Sequence, residues 1–279
     1  MPTEGLLKQT QSWLRTHGIT ISKTLGQHFL INEQVLARTL DYADLNPTDT
    51  ILEIGAGIGT LTRALANHVR HVYAIEKDSV LFDALQKEFE GITNITLIRG
   101  DAVKVEWPAT NKLVANLPFG ISSPVLFKFL SSEIQTALLM LQREFAERLT
   151  ASAGSKTYGR LTVMATYTAT SEILEYVAPN CFHPPPEVTS ALVRIRRCVE
   201  PAFTVMDYSL FTRLVVVLFN QRRKKIRTPL TALLREMELK PNTIEEIKCQ
   251  IPWLDHRAEE LNPEELAEIA NIIYQVKPD

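Results

Sequence analysis

The chain has 279 residues, 45% of them hydrophobic, enough for one large domain and a small one and too many for wholesale disorder. Its net charge of −2 does not mark a nucleic-acid partner, and residues 199–279, with 11 Lys and Arg against 13 Asp and Glu, are no more basic than the rest. Cys181, Cys198 and Cys249 are widely spaced and form no C-x-x-C pair, the amino terminus is polar, and the longest apolar run (Leu214 to Phe219) is short; together these argue against a disulfide framework, a metal site, a secretory signal or a membrane partner, and for the cytoplasm.

In chain order, residues 33–43 fit a helix that precedes the first strand. From about residue 50, short β-branched runs alternate with helical stretches. Ile51–Ile54, Val72–Ile75, Ile95–Ile98, Leu113–Ala115 and Ala137–Leu141 read as strands, with helices such as Ser79–Phe89 and Pro124–Ser131 between them. This alternation predicts a parallel sheet covered on both faces. Ile173–Val177 and Ala191–Ile195 read as two closing strands, joined by CFHPPPEVTS, whose three consecutive prolines force an extended loop. After about residue 200 the pattern is helical over 207–220, 229–237, 243–249 and 263–275, with Thr228-Pro229 and Asn262-Pro263 as helix starts. The expected division is residues 1–198 and residues 199–279.

The first strand ends in Glu53-Ile54-Gly55-Ala56-Gly57-Ile58-Gly59. Gly55 and Gly57 permit a tight turn and let a ligand lie against bare backbone. A dinucleotide fingerprint needs G-x-G-x-x-G to hold a pyrophosphate. Here the spacing is G-x-G-x-G, and Glu53 would repel a diphosphate. A carboxylate there suits a ligand carrying ammonium and sulfonium charges, as S-adenosylmethionine does. Glu76, at the end of the second strand, can accept the ribose hydroxyls. Asp101, after the third strand and beside Ala102, can accept from an adenine amine. Three acids in register with successive strand ends predict an S-adenosylmethionine site. With two closing strands after five α/β units, the expected fold is α/β: a seven-stranded, Rossmann-like class I methyltransferase sheet with a small all-α C-terminal domain.

The fourth strand runs into Asn116-Leu117-Pro118-Phe119. The exocyclic amine of adenine is a poor nucleophile because its lone pair is delocalised into the ring. Two acceptors that take its N–H groups pull the nitrogen towards tetrahedral geometry. The Asn116 side-chain oxygen supplies one and the Leu117 carbonyl the other. Pro118 fixes the backbone, and Phe119 offers a ring face to an extruded base. No strong general base is needed, because the ammonium formed sheds its proton after transfer; positioning and electrostatics carry the rate.

These residues resemble the small-subunit ribosomal RNA adenine N6,N6-dimethyltransferases over nearly the whole chain. The likeness runs through Leu25-Gly26-Gln27-His28-Phe29-Leu30, the glycine loop, Asn116 to Phe119 with Ile121-Ser122-Ser123-Pro124, and Tyr158-Gly159-Arg160-Leu161. It continues through Phe182-x-Pro184-x-Pro186-x-Val188-x-Ser190-Ala191, Arg222-Arg223-Lys224, Arg257-Ala258-Glu259-x-Leu261 and Pro263-Glu264-Glu265-Leu266. The resemblance implies transfer of four methyl groups to two adjacent adenosines in a hairpin loop near the 3′ end of small-subunit rRNA, in a pre-ribosomal small subunit. It also implies cofactor contacts from His28, Leu30, Gly55, Glu76, Asp101 and Asn116, and a Phe182 ring that stacks on the target base opposite Phe119. His28 stands where bacterial relatives frequently have Asn, and Phe119 where they frequently have Tyr.

Outside the cofactor motifs, Phe182 reads as a core aromatic or as that stacking ring. Arg222, Arg223, Lys224, Lys225 and Arg227 form either a solvated helix face or an RNA phosphate surface, which Lys8, Arg15 and Lys23 extend. The Arg257-Ala-Glu segment reads as domain packing. Two other functions use the same motifs: a large-subunit rRNA adenine methyltransferase conferring antibiotic resistance, and a non-catalytic assembly factor. A monomer is the default expectation.

Overall fold

The computed structural model describes residues 5–21 and 26–276; Lys23 and Leu25, named above, lie outside these. Helix α1 (Leu6–Thr16) buries Thr10 and Leu14, and the Trp13 indole donates to Glu88 Oε2 at 2.9 Å. The two-residue strand β1 (Phe29–Leu30) leads to α2 (Glu33–Ala43), which the Asn32 side chain caps by accepting from the Val35 amide at 3.0 Å. Then follow β2 (Thr50–Ile54), α3 (Thr60–Ala66), β3 (His71–Glu76), α4 (Ser79–Glu88), β4 (Ile95–Arg99), β5 (Lys112–Asn116), α5 (Ser122–Leu130), β6 (Thr136–Gln142) and α6 (Arg143–Leu149). After these come α7 (Arg160–Thr166), β7 (Ala169–Val177), β8 (Phe182–His183) and β9 (Ser190–Arg197). Four helices close the described chain: α8 (Tyr208–Asn220), α9 (Arg227–Glu236), α10 (Pro241–Gln250) and α11 (Pro263–Val276).

The main sheet has seven strands in the order β4-β3-β2-β5-β6-β9-β7. The β4-β3, β3-β2, β2-β5 and β5-β6 pairs are parallel, and β9 runs antiparallel to β6, with Gln142 opposite Ser190. Every expected strand is present. The parallel strands carry side chains buried on both faces: Ile51, Leu52, Val72, Leu113 and Leu139 are fully enclosed. Because these strands share a direction, Ile54, Glu76, Arg99 and Asn116 end at one edge of the sheet. The strand order reverses between β2 and β5, which opens a crevice at their carboxyl ends.

Among the described residues, two compact units divide the chain: Met1–Ala146 with Ser171–Arg197, and Glu147–Thr170 with Cys198–Asp279. This corrects the expected division at residue 198. The chain does pass to the second unit there, but Glu147–Thr170 belongs to that unit too. The reason is packing. Tyr158, Val163 and Met164 share one apolar core with Phe211, Leu214, Leu230, Leu266 and Ile269. The Tyr158 hydroxyl donates to the Leu261 carbonyl at 2.8 Å, and burial raises its pKa, so it stays a neutral donor. The expected start at Asn262 is a reciprocal cap: Asn262 Oδ1 accepts from the Glu265 amide and Glu265 Oε2 from the Asn262 amide, both at 2.8 Å.

Replacing Tyr158 with Phe leaves the Leu261 carbonyl buried without its donor. Urea unfolding followed by circular dichroism should show a loss of about 1–3 kcal/mol, with the native far-ultraviolet spectrum retained.

Candidate active site

Strand β2 delivers the glycine loop. Gly55 sits at φ +79°, and a Cβ built on it would lie 3.3 Å from Pro118 Cδ, so the loop after β2 already touches the loop after β5. Gly59, at φ +78°, precedes α3; a Cβ there would collide with Phe89 at 2.6 Å and Leu85 at 2.9 Å. The third glycine of G-x-G-x-G is therefore a packing requirement.

Glu53 is fully buried, and its Oε2 has no hydrogen-bond partner among the described residues. Burial, with the nearby Glu76 charge adding to it, pushes its pKa up to about 8. Glu76 accepts the Gly57 amide on Oε2 and the Asp78 amide on Oε1, both at 2.8 Å. Burial raises its pKa as well, against the pull of those two N–H groups. Asp101 behaves oppositely. Lys77 Nζ donates to Oδ2 at 3.0 Å and the Val103 amide to Oδ1 at 3.0 Å, which holds the carboxyl below its usual range.

The loop after β4 is clamped from behind. Lys128 on α5 donates to the carbonyls of Ala102 at 3.0 Å and Val103 at 3.2 Å, and to that of Val105, while lying 4.9 Å from the centre of the Trp107 ring. The Trp107 indole also donates to the Ala102 carbonyl, at 2.8 Å. Desolvation lowers the Lys128 pKa. A single lysine in an apolar helix carries no signal of this role in the sequence, and neither does Lys77 beside Glu76.

The tetrapeptide after β5 supplies two acceptors. Asn116 Nδ2 donates to the His28 carbonyl at 3.1 Å. A carbonyl accepts only, so the amide nitrogen must face it and Oδ1 is the free end. Among the described residues the Leu117 carbonyl accepts no hydrogen bond, whereas the Pro118 and Phe119 carbonyls bind the Ile121 amide and the Ser122 hydroxyl. Opposite them, β8 pairs antiparallel with β1, Leu30 facing Phe182 and Phe29 facing His183. This pairing was not foreseen. It brings residues more than 150 positions apart into one wall.

All thirteen expected residues of the first unit line one cavity of about 400 Å³: His28, Leu30, Glu53, Gly55, Gly57, Glu76, Asp101, Ala102, Asn116, Leu117, Pro118, Phe119 and Phe182. Phe182 is only 3% exposed and packed in the apolar core, as the core reading expects, and it also forms part of the cavity wall. Among the described residues no group of His, Cys, Asp and Glu could hold a metal ion, and no helix is long and apolar enough to cross a membrane.

The five cations near residue 225 lie in the second unit and differ among themselves. Arg222 pairs with Glu259 at 2.6 Å, and Lys225 and Arg227 share Asp255 at 3.2 Å each. Arg223 and Lys224 are exposed and have no ion pair among the described residues. Of the five expected cations, Arg223 and Lys224 are thus the two without an ion pair among the described residues.

A glycine loop at the switch point of such a sheet, followed by acids at successive strand ends, defines a class I methyltransferase. A model of the ribosomal RNA adenine dimethylase family matches residues 18–275. The probable ribosomal RNA small subunit methyltransferase A of Methanosarcina mazei is 43% identical over 256 residues, covering 91% of this chain and 93% of its own. A crystal structure of a dimethyladenosine transferase from Plasmodium falciparum superposes with a TM-score of 0.80 at 26% identity, over 89% of this chain and 98% of that one. The 23S rRNA methyltransferase ErmE gives 0.68 at 29% identity, over 88% of this chain and all of its own. The chain belongs to the ribosomal RNA adenine dimethylase family.

Glu53 yields a pH signature. Between its ordinary value of 4.5 and about 8, the folded state keeps a proton that the unfolded chain has released, so stability falls as pH rises through that window. The ligand-free protein should lose Tm between about pH 5 and pH 8 and level off above that, and Glu53→Gln should flatten that slope in thermal melts.

Proposed function

We propose that the chain uses S-adenosylmethionine to dimethylate the N6 amines of two adjacent adenosines in a hairpin loop near the 3′ end of small-subunit rRNA. It acts as a cytoplasmic monomer on a pre-ribosomal small subunit and needs no metal. The residues present fit the cofactor. The orphaned, buried Glu53 Oε2 calls for a donor, which the ammonium of the methionine part provides. Each Glu76 oxygen retains a lone pair beyond its backbone contact, suited to the ribose hydroxyls. Asp101, kept ionised by Lys77, suits the adenine amine beside Ala102, with His28, Leu30, Gly55 and Gly57 completing the wall. When bound, the cofactor supplies an electrophilic methyl group on sulfonium.

The observation that carries the reading is the Asn116 amide. With Nδ2 committed to the His28 carbonyl, its Oδ1 is left to accept one N–H of the target amine, and the unpartnered Leu117 carbonyl accepts the other. Pro118 fixes the turn, and Phe119 and Phe182 offer ring faces to the flipped base. Held by these two acceptors, the amine nitrogen would be presented to the methyl group that the bound cofactor would supply, and its surplus proton would leave to water. A neutral amide leaves no buried charge to trap that proton.

The small-subunit substrate is favoured over a large-subunit one by the higher identity to the archaeal relative and by Tyr158-Gly-Arg-Leu and Arg257-Ala-Glu, both built into the second unit. Incubation with labelled cofactor and each immature subunit should label small-subunit RNA; label confined to large-subunit RNA refutes the assignment. Asn116→Ala should lower methyl transfer by at least about 100-fold, roughly 3 kcal/mol of transition-state stabilisation, while leaving subunit binding intact. Unchanged transfer in that variant removes the catalytic role assigned to Asn116.

RNA contact in the second unit is assigned to Arg223 and Lys224, with Arg222, Lys225 and Arg227 as a partly neutralised surround. Changing Arg223 and Lys224 together to Ala should flatten the dependence of log binding constant on log salt by about one unit for each phosphate no longer neutralised. Filter binding across a salt series measures this, and an unchanged slope refutes the role of both side chains.

A further inference from the structure

We propose that the His28 side chain is a positioning residue: its Nδ1–H holds the Phe182 loop at a fixed distance from the Asn116 amide, and so governs the transfer step. The inference rests on the roles of Asn116 and Phe182 proposed above.

His28 Nδ1 lies 2.7 Å from the Pro184 carbonyl. That oxygen can only accept, so Nδ1 carries the proton. The same residue's carbonyl accepts Asn116 Nδ2 at 3.1 Å. One residue thus binds both walls of the base-receiving gap, by its backbone on one side and its ring on the other. The ring also stands beside Phe119, with centroids 5.9 Å apart.

The loop has few other restraints of this kind. Pro184, Pro185 and Pro186 have no N–H, so this stretch offers carbonyl acceptors and no backbone donors. It can be tied down through hydrogen bonds only by donors from elsewhere. The neighbouring β1-β8 pair spans two residues a side, extended by one bond from the Ile31 amide to the Cys181 carbonyl at 2.9 Å. So short a pair is marginal alone. A donor one residue past its end therefore decides where the chain after Phe182 sits.

Asn would place its Nδ2 about where His has Nδ1, two bonds beyond Cβ, whereas Phe keeps a ring without a donor. The test compares His28→Asn, His28→Ala and His28→Phe. Steady-state kinetics use undermethylated small subunits, calorimetry gives the cofactor Kd, and hydrogen exchange reports on the 181–183 segment. Loss of the donor in the Ala and Phe variants should cut kcat about tenfold or more, by a clearly larger factor than it weakens the cofactor Kd (to which the place of His28 in the cavity wall also contributes), and speed exchange at 181–183. The Asn variant should recover kcat and exchange protection. An Asn variant as impaired as Ala, or a Kd that weakens in step with kcat, overturns the proposal. So does an Ala variant with full kcat while Asn116→Ala is inactive; that pattern leaves the catalytic reading standing. If Asn116→Ala is itself fully active, the catalytic reading fails first.

Discussion

The site depends on one constraint: β2 and β5 are neighbours, parallel, and the chain leaves them on opposite sides of the strand-order reversal. Adjacent strands stand about 4.8 Å apart, so loops leaving their carboxyl ends meet at van der Waals distance. Gly55 and Pro118 meet in this way, with space for a hydrogen but not for a Cβ without displacing the proline ring. On the proposed function, a methyl donor along the first loop and an amine held by the second would be brought together by sheet geometry itself. Much of the entropy of alignment would then be removed before either ligand bound.

The three acids show how the same fold distributes charge along that crevice. Glu53 sits deepest, without a donor for one oxygen, and burial raises its pKa to about 8. Glu76 is nearly as buried but is steadied by two backbone amides. Asp101, the least buried of the three, is paired with Lys77 and stays ionised. A cationic group arriving at Glu53 would favour loss of its proton, so ligand charge and carboxylate charge develop together. The burial that makes Glu53 costly in the empty protein is also what strengthens its attraction to an ammonium.

The parallel sheet was legible in the sequence because strands buried on both faces read as continuous apolar runs, as Ile51–Ile54 and Ala137–Leu141 do. The acids were legible because each follows such a run directly. What escaped notice has a common cause. The β1-β8 pairing joins two-residue strands, too short for any periodicity, across more than 150 residues. Lys128 acts through three backbone carbonyls, and a partner of that kind leaves no trace in residue type. Chain order alone groups the segment 147–170 with the sheet, but Tyr158, Val163 and Met164 find their apolar neighbours among the later helices.

The same distinction explains the motifs of the second unit. Glu259 takes Arg222 Nε on its carboxylate at 2.6 Å and the Gly154 amide on its carbonyl at 2.7 Å. Arg222 Nη2 reaches the Lys156 carbonyl at 3.1 Å, Tyr158 reaches Leu261, and Lys225 bridges to Arg257. Three stretches far apart in sequence are therefore one hydrogen-bonded knot. A dense run of cations is not automatically a phosphate surface, because part of its charge is spent locally: here Glu259 and Asp255 offset two of five positive charges. That local neutralisation leaves Arg223 and Lys224 as the cations of the run with no ion pair among the described residues.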